Sequence, residues 1–300
     1  LDEWLACQRS WMYLENIFSA EDIQKQLPAE SVKFIKVDKF FKDRMRRCHE
    51  EPSVVAQVMV PKLLDAFVDA NRVLDEIQKS LEDYLETKRQ AFPRFFFLSN
   101  DELLEILSQT RDPHAVQPHL MKCFDAVKSL TFGDGSQANA MLALNSAEGE
   151  SVHFSCAPRA EGPVEAWLLG MQEAMRGTLY DVCGACLAQL GTVAMRDWYF
   201  GFPAQAVLMI GQIQWTAGVE AALAAMQGGA APKALADFNA TWIESIDGMV
   251  RLVRTQLSPL ERKLMSAKLV IDVHARDTVT TLVAEEIARA ADFAWPRPPR

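Results

Sequence analysis

Glycine and proline are scarce, 14 of each in 300 residues. With 49% apolar and 24% charged residues, that scarcity excludes a mainly disordered or low-complexity chain. No Gly-rich turn ends in Gly-Lys-Ser or Gly-Lys-Thr, so the chain lacks a loop of the kind that cradles phosphates. Its one Gly-rich stretch, residues 133–136, has no Lys and precedes a candidate strand, and it reads as a plain turn. Positive charge is also short. The net charge of −9 repels phosphate backbones and argues against a nucleic acid partner. No signal peptide, basic transit segment or lipidation motif is visible, so the six cysteines read as reduced thiols. The chain starts at Leu1 rather than Met and reads as an excised piece of a longer protein. Long uncharged runs are limited to residues 198–219, long enough to cross a bilayer. Gly201, Pro203, Gln205, Gly211, Gln212 and Gln214 make that run too polar to do so, and a buried helix fits it better.

What the chain has in abundance is helical periodicity. Residues 1–18 carry Trp4, Leu5, Trp11, Met12, Leu14 and Ile17 at helical spacing, and Ser19 with Asp22 reads as a cap for a short turn. A helix after Pro28 places Val32, Phe34, Ile35, Val37, Phe40 and Phe41 inside. It ends on Lys42, Arg44, Arg46 and Arg47, which suit a helix C-terminus electrostatically. A long helix follows to about Ala91, with Leu63, Leu64, Phe67, Val68, Leu74, Ile77, Leu81, Tyr84 and Leu85 as its apolar stripe. Such length suggests a strut.

The stretch 92–107, FPRFFFLSNDELLEIL, reads as the centre of the fold. Phe92, Phe95, Phe96, Phe97 and Leu98 cannot alternate in and out of water, so the part before Ser99 reads as a short buried strand. Ser99 and Glu102 form a capping box that starts a helix at once. Pro118 then opens a helix over 116–130. Two strands, 140–145 and 151–156, are joined by a Gly-containing turn. Pairing them with residues 94–98 gives a small three-stranded antiparallel sheet. Residues 157–163, with Pro158, Gly162 and Pro163, are the clearest break. Beyond them the reading is wholly helical, over 164–190, 203–226, 232–257 and 259–290. The fold class is therefore mainly α, an elongated array of helical bundles with a small three-stranded antiparallel sheet near the middle. Residues 1–157 form a first half, 158–295 an all-helical second half and 296–300 an irregular tail.

Few residues propose chemistry. Cys183 and Cys186 stand three apart inside a helix, with no second pair or nearby His to complete a zinc site, and read as core thiols. His114, His119 and His274 have Asp112, Asp272 and Asp277 close in sequence, yet no Ser or Cys nucleophile has a recognisable setting, and structural histidines are the simpler reading. Asp272, Arg276 and Asp277 read as charge-assisted ties between helices. Trp167, Trp198, Trp215 and Trp242 read as core anchors. No catalytic, cofactor or metal residue is assigned.

The motif FFFLSNDELLEIL at 95–107 resembles the linker region of dynein heavy chains, in the form of the axonemal branch. DPHAVQPHLMKCF (112–124), NSAEGE (145–150), VEAWL (164–168), QIQWT (212–216) and IDVHARD (271–277) recur in the family's order, so the resemblance spans residues 4–295. The tail 296–300 departs from the aromatic stretch with which the family continues toward its first AAA+ module. The resemblance implies a non-catalytic lever that lies across the ring of AAA+ modules and changes shape as nucleotide turns over there. ATP and Mg would be bound in that ring, outside these residues. The partners implied are the ring of the same heavy chain and other dynein chains, in the cytoplasm and the axoneme of a cilium or flagellum. Direct microtubule contact is not implied, and no membrane or nucleic acid is. For a lever, Ala157, Pro158, Gly162 and Pro163 are the candidate hinge. Two other classes remain on the residues alone: a helical protein-interaction scaffold, and a helical thiol enzyme using Cys183.

Overall fold

The computed structural model describes residues 1–108, 112–227, 229, 231–289 and 295. The chain is mainly helical with one small sheet, and it divides into two compact units. One unit comprises residues 1–145 and 157–174, the other 146–156 and 175–300.

In the first unit α1 (Asp2–Phe18), α2 (Glu21–Gln26), α3 (Pro28–Glu50) and α4 (Val54–Val58) precede α5 (Leu63–Ala91). At 29 residues, α5 extends about 43 Å at the usual rise of 1.5 Å per residue. Its inner face is Leu63, Phe67, Ala70, Leu74, Ile77, Leu81 and Leu85, a spacing of three and four that packs against α1 and α3. Four residues expected inside lie outside: Val32 and Ile35 on α3, and Leu64 and Val68 on α5, are all exposed. Each adjoins a residue that does face the core, and one helix face cannot hold both. Ser19 does not cap α2 either; it closes the end of α1. Its hydroxyl donates to the Asn16 carbonyl at 2.7 Å, and α2 starts without a side-chain cap.

The stretch 92–98 is a turn of 3-10 helix, Pro93–Phe97, and not a strand. Phe95 N donates to Phe92 O at 2.9 Å and Leu98 N to Phe95 O at 3.0 Å. Three residues per turn bring Phe92, Phe95 and Leu98 to one side, where all are buried, and turn Phe96 and Phe97 outward at 56% and 70% exposure. The box at Ser99 holds as read. Ser99 N donates to the Glu102 carboxylate at 3.0 Å and Glu102 N to Ser99 Oγ at 3.3 Å, starting α6 (Asn100–Ser108). A hydrogen bond from Lys122, then that from Ser99 N, holds the Glu102 carboxyl down to about 2 from its ordinary 4.5. A depressed carboxyl stabilises the fold above its unfolded value and loses that effect as pH falls through the folded one. Glu102→Gln should therefore flatten the pH dependence of stability between about 4.5 and 2, as read in urea titrations; an unchanged acid limb would contradict the box.

The sheet's third strand comes from a region read as helix. Residues 113–119 are 3-10, α7 (Leu120–Cys123) is a single turn, and β1 (Ser129–Phe132) follows. It pairs antiparallel with β2 (Met141–Asn145), Leu130 opposite Leu144, and β3 (Ser151–His153) completes the order β1-β2-β3. Pro118 lies inside the 3-10 segment, where a missing N–H prevents a regular α-helix from forming. The Gln117 side chain both donates to Leu130 O and accepts from Leu130 N, each at 2.9 Å. It thereby satisfies the backbone of β1 on its open edge.

The second unit holds most of α8 (Val164–Gln189), then α9 (Met195–Phe200), α10 (Ala204–Gln227), α11 (Ala234–Val253) and α12 (Pro259–Ala284). The four helices expected here are present, with α9 added between the first two, but the last ends at Ala284 and not near 290. The last three helices pack on one another around Ala206, Val207, Ile210, Trp242, Ile246, Met249, Met265 and Ala275. Close approach is set by Gly218 and Gly211, where a Cβ would run into the Phe238 ring and the Lys268 side chain. No helix among the described residues is long and apolar enough to cross a membrane. The tail 296–300 and residues 228 and 230 of the α10–α11 connector lie outside the described residues.

Candidate functional site

Residues 157–163 are tied to the first unit at their start and exposed over 161–163. Met141 N donates to Pro158 O at 2.8 Å and Ala160 N to Asn139 O at 2.7 Å, with Arg159 bridging Ala140. Ala160 is buried, whereas Ala157, Glu161, Gly162 and Pro163 are exposed. Gly162 has φ +79°, a left-handed turn that favours glycine, and Pro163 O then accepts the first helical bonds of α8.

The beginning of α8 is firmly seated in that same unit. Val164, Trp167, Leu168 and Met171 are buried. Lys88 meets Glu165 at 2.5 Å with both side chains less than a fifth exposed. Arg94 is the organiser: Nε donates to Gln172 Oε1 and an Nη to Cys123 O, both at 2.8 Å, while its guanidinium lies 4.5 Å over the Phe124 ring. A planar fork that serves two acceptors and stacks on a ring is a role Lys cannot fill. Sequence reading passed over Arg94, although a lone charge among phenylalanines was a signal.

In the second unit Glu150, from the NSAEGE stretch, accepts from Ala204 N at 2.7 Å and so caps α10 from 54 residues away. Thr178, buried in α8, accepts from Ser155 N at 3.0 Å. Deeper in, Lys268 and Asp272 form an ion pair one turn apart on α12, each side chain 4% exposed. Desolvation lowers the Lys268 pKa and raises that of Asp272, each opposed by the partner's charge. The ammonium also sits 5.5 Å from the Trp242 ring, and Trp242 Nε1 donates to Asp272 O at 3.3 Å.

The residues weighed for chemistry fall into structural settings. Asp272 is committed to Lys268, Asp277 pairs with its neighbour Arg276 at 2.7 Å, and Asp112 accepts from His114 N at 2.9 Å. The three carboxylates thus make no His dyad, and the inter-helix ties expected through the side chains of Asp272, Arg276 and Asp277 are all intra-helical instead. Burial pushes the Cys186 thiol up to about 11 and raises Cys183, the opposite of what a nucleophilic thiolate requires. Trp167, Trp198 and Trp242 are buried, while Trp215 is half-buried. Among the described residues no group of three or more His, Cys, Asp or Glu is arranged to hold a metal ion.

Comparison with known proteins identifies the setting. The family profile of dynein heavy chain, N-terminal region 2, matches residues 1–186. The chain is 43% identical over 314 aligned positions to human dynein axonemal heavy chain 6, covering 99% of this chain and 8% of that protein. It is 41% identical to mouse dynein axonemal heavy chain 1 over 98% of this chain and 7% of that protein, and 41% identical to human dynein axonemal heavy chain 3, with the same coverage. The chain thus spans less than a tenth of the length of these relatives.

Proposed function

We propose, from the premise that this chain belongs to the dynein heavy chain family and occupies its N-terminal linker region, that it is the mechanical lever of an axonemal motor. The observation that carries this reading is similarity over nearly the whole chain to axonemal heavy chains. ATP and Mg are then handled by the AAA+ ring of the same heavy chain, beyond these residues. The lever itself makes no catalytic contribution and no direct contact with the microtubule. Its partners are that ring and other dynein chains, and its place is the axoneme. A long strut, α5, and a helical bundle closed by buried aromatic and ionic contacts suit an element that must carry load.

Bending is assigned to Ala157, Pro158, Gly162 and Pro163. Because Pro158–Ala160 and the start of α8 are both held in the first unit, a backbone change at Glu161, Gly162 and Pro163 must also release α8 at Val164, Trp167, Leu168 and Met171. In a heavy chain carrying this linker, Gly162→Pro should lower microtubule gliding speed several-fold while ATP binding persists. Proline cannot adopt φ +79°, so it reshapes the turn as well as stiffening it. Gly162→Ala, costing about 1 kcal/mol at a left-handed position, should have a smaller effect. Unchanged speed in the proline variant would place the bend elsewhere.

A further inference from the structure

A chain with nine net negative charges carries one concave basic spot. The end of α3 and the start of α5 enclose a cavity of about 270 Å³ lined by Phe40, Asp43, Arg44, Arg47, Lys62 and Leu63, among others. Arg44 is 5% exposed. One Nη donates to both the backbone and side-chain oxygens of Gln57, at 2.8 and 2.9 Å. Its Nε is buried without a hydrogen-bond partner. A buried guanidinium N–H left unpaired is costly, and guanidinium groups bind carboxylates through paired N–H donors. Arg47 and Lys62 are exposed, and among the described residues neither has an ion-pair partner. The one acid of the lining, Asp43, is engaged by Arg46 at 3.1 Å. The N-terminus of the 29-residue α5 opens here too, where Lys62 supplies no side-chain cap and the helix dipole adds positive potential beside Asp65 of the first turn.

The segment that supplies Val60, Pro61 and Lys62 to the lining carries exposed aliphatic side chains on either side of them. Val54, Val55, Met59 and Leu64 are 62%, 67%, 76% and 64% exposed, within eleven residues of sequence. Clustered exposed aliphatics mark a protein interface, and a basic centre within them selects an acidic partner. We propose that this surface docks an acidic, leucine- or valine-bearing segment of a partner protein, with one carboxylate entering the cavity against Arg44, Arg47 and Lys62. A free phosphate would have no use for the aliphatic surround. An anionic bilayer would set many charges at once against the chain's net negative charge, whereas a short segment sets few. The inference is independent of the lever reading.

The test uses a fluorescein-tagged peptide of repeated Leu-Glu-Glu-Leu units and the same peptide with Gln for Glu, titrated into the 300-residue chain by anisotropy. Binding of the acidic peptide is expected, weakened by salt. Arg47→Gln with Lys62→Gln should weaken it by about tenfold or more, as the loss of charge-assisted bonds implies. Met59→Ser with Leu64→Ser should weaken it as well. All four positions are exposed, so circular dichroism should show native folding. Equal binding of both peptides, or binding indifferent to the Arg47/Lys62 pair, would overturn the proposal. So would competitive binding of inorganic phosphate without the peptide, which would make this a phosphate site. Self-association abolished by the same variants would also overturn it, since the occupant would then be a second copy.

Discussion

Replacing Lys268 by alanine should destabilise the second unit by about 3–5 kcal/mol, the range found when one member of a buried ion pair is removed. Asp272 would be left 3% exposed among Tyr199, Trp242 and Gly211, with no counter-charge, and would take up a proton or draw water inward. The pair itself is another matter. Desolvating two charges costs nearly as much as their attraction returns, so Lys268→Met with Asp272→Leu should lie within about 1–2 kcal/mol of the parent chain. Chemical denaturation followed by tryptophan fluorescence measures both, because Trp242 lies against the ammonium. Equal losses in the single and double variants would show that packing around these side chains, and not the uncompensated charge, sets the cost. The pair's use would then be register: an ion pair on α12 that fits only where Gly211 of α10 leaves room holds the two helices at one offset.

The second large effect lies in the aromatic turn. Phe95 is fully buried, stacks edge-on against Phe92 at 5.0 Å and sits where α5 hands over to α6. Phe95→Ala should cost about 3–5 kcal/mol, as large aromatic truncations in cores do. Phe96→Asp and Phe97→Ala, outside the core, should change stability by no more than about 0.5 kcal/mol. Thermal melts of the three variants decide the matter. A loss at Phe96 comparable to that at Phe95 would restore the strand and remove the 3-10 turn.

That contrast also shows what the sequence could disclose. A run in which nearly every residue is apolar carries no period, so burial of the segment was legible while its conformation was not. Pro93 and the fixed spacing of Phe92, Phe95 and Leu98 were the available signal for three residues per turn. The long amphipathic helices were legible because their charged faces alternate with their apolar ones at helical spacing. At α3 and α5 the error lay in assigning the whole apolar set, Val32, Ile35, Leu64 and Val68 included, to the inner face. The strand Ser129–Phe132 escaped because its support is a side chain, Gln117, that supplies hydrogen bonds a propensity reading does not include.

For the candidate site, the glycine and prolines of residues 157–163 announced a break, but their hydrogen bonds to Asn139 and Met141 are long-range facts. The same holds for Lys88 with Glu165 and Arg94 with Gln172. Lys268 and Asp272, four apart on a helix, have the spacing of an ordinary surface pair. What distinguishes them is that Leu264, Met265, Ala275 and Val279 share their buried face, and reading that face as a whole would have exposed the pair. The family resemblance was legible because it rests on six ordered motifs, a property of the string and not of the fold.

We propose that this chain bends as a lever when nucleotide turns over elsewhere in the heavy chain. Donor and acceptor dyes at Ile35→Cys and Val270→Cys report it most directly. Both positions are exposed, 58% and 70%, and they belong to different compact units; the exposed native Cys156 is replaced by Ser. In the heavy chain that carries this linker, energy transfer should switch between two values on going from the nucleotide-free to the ATP-bound motor, and Gly162→Pro should hold it near one of them. Transfer that stays constant through the nucleotide cycle, in a motor that still hydrolyses ATP and moves microtubules, would contradict the lever.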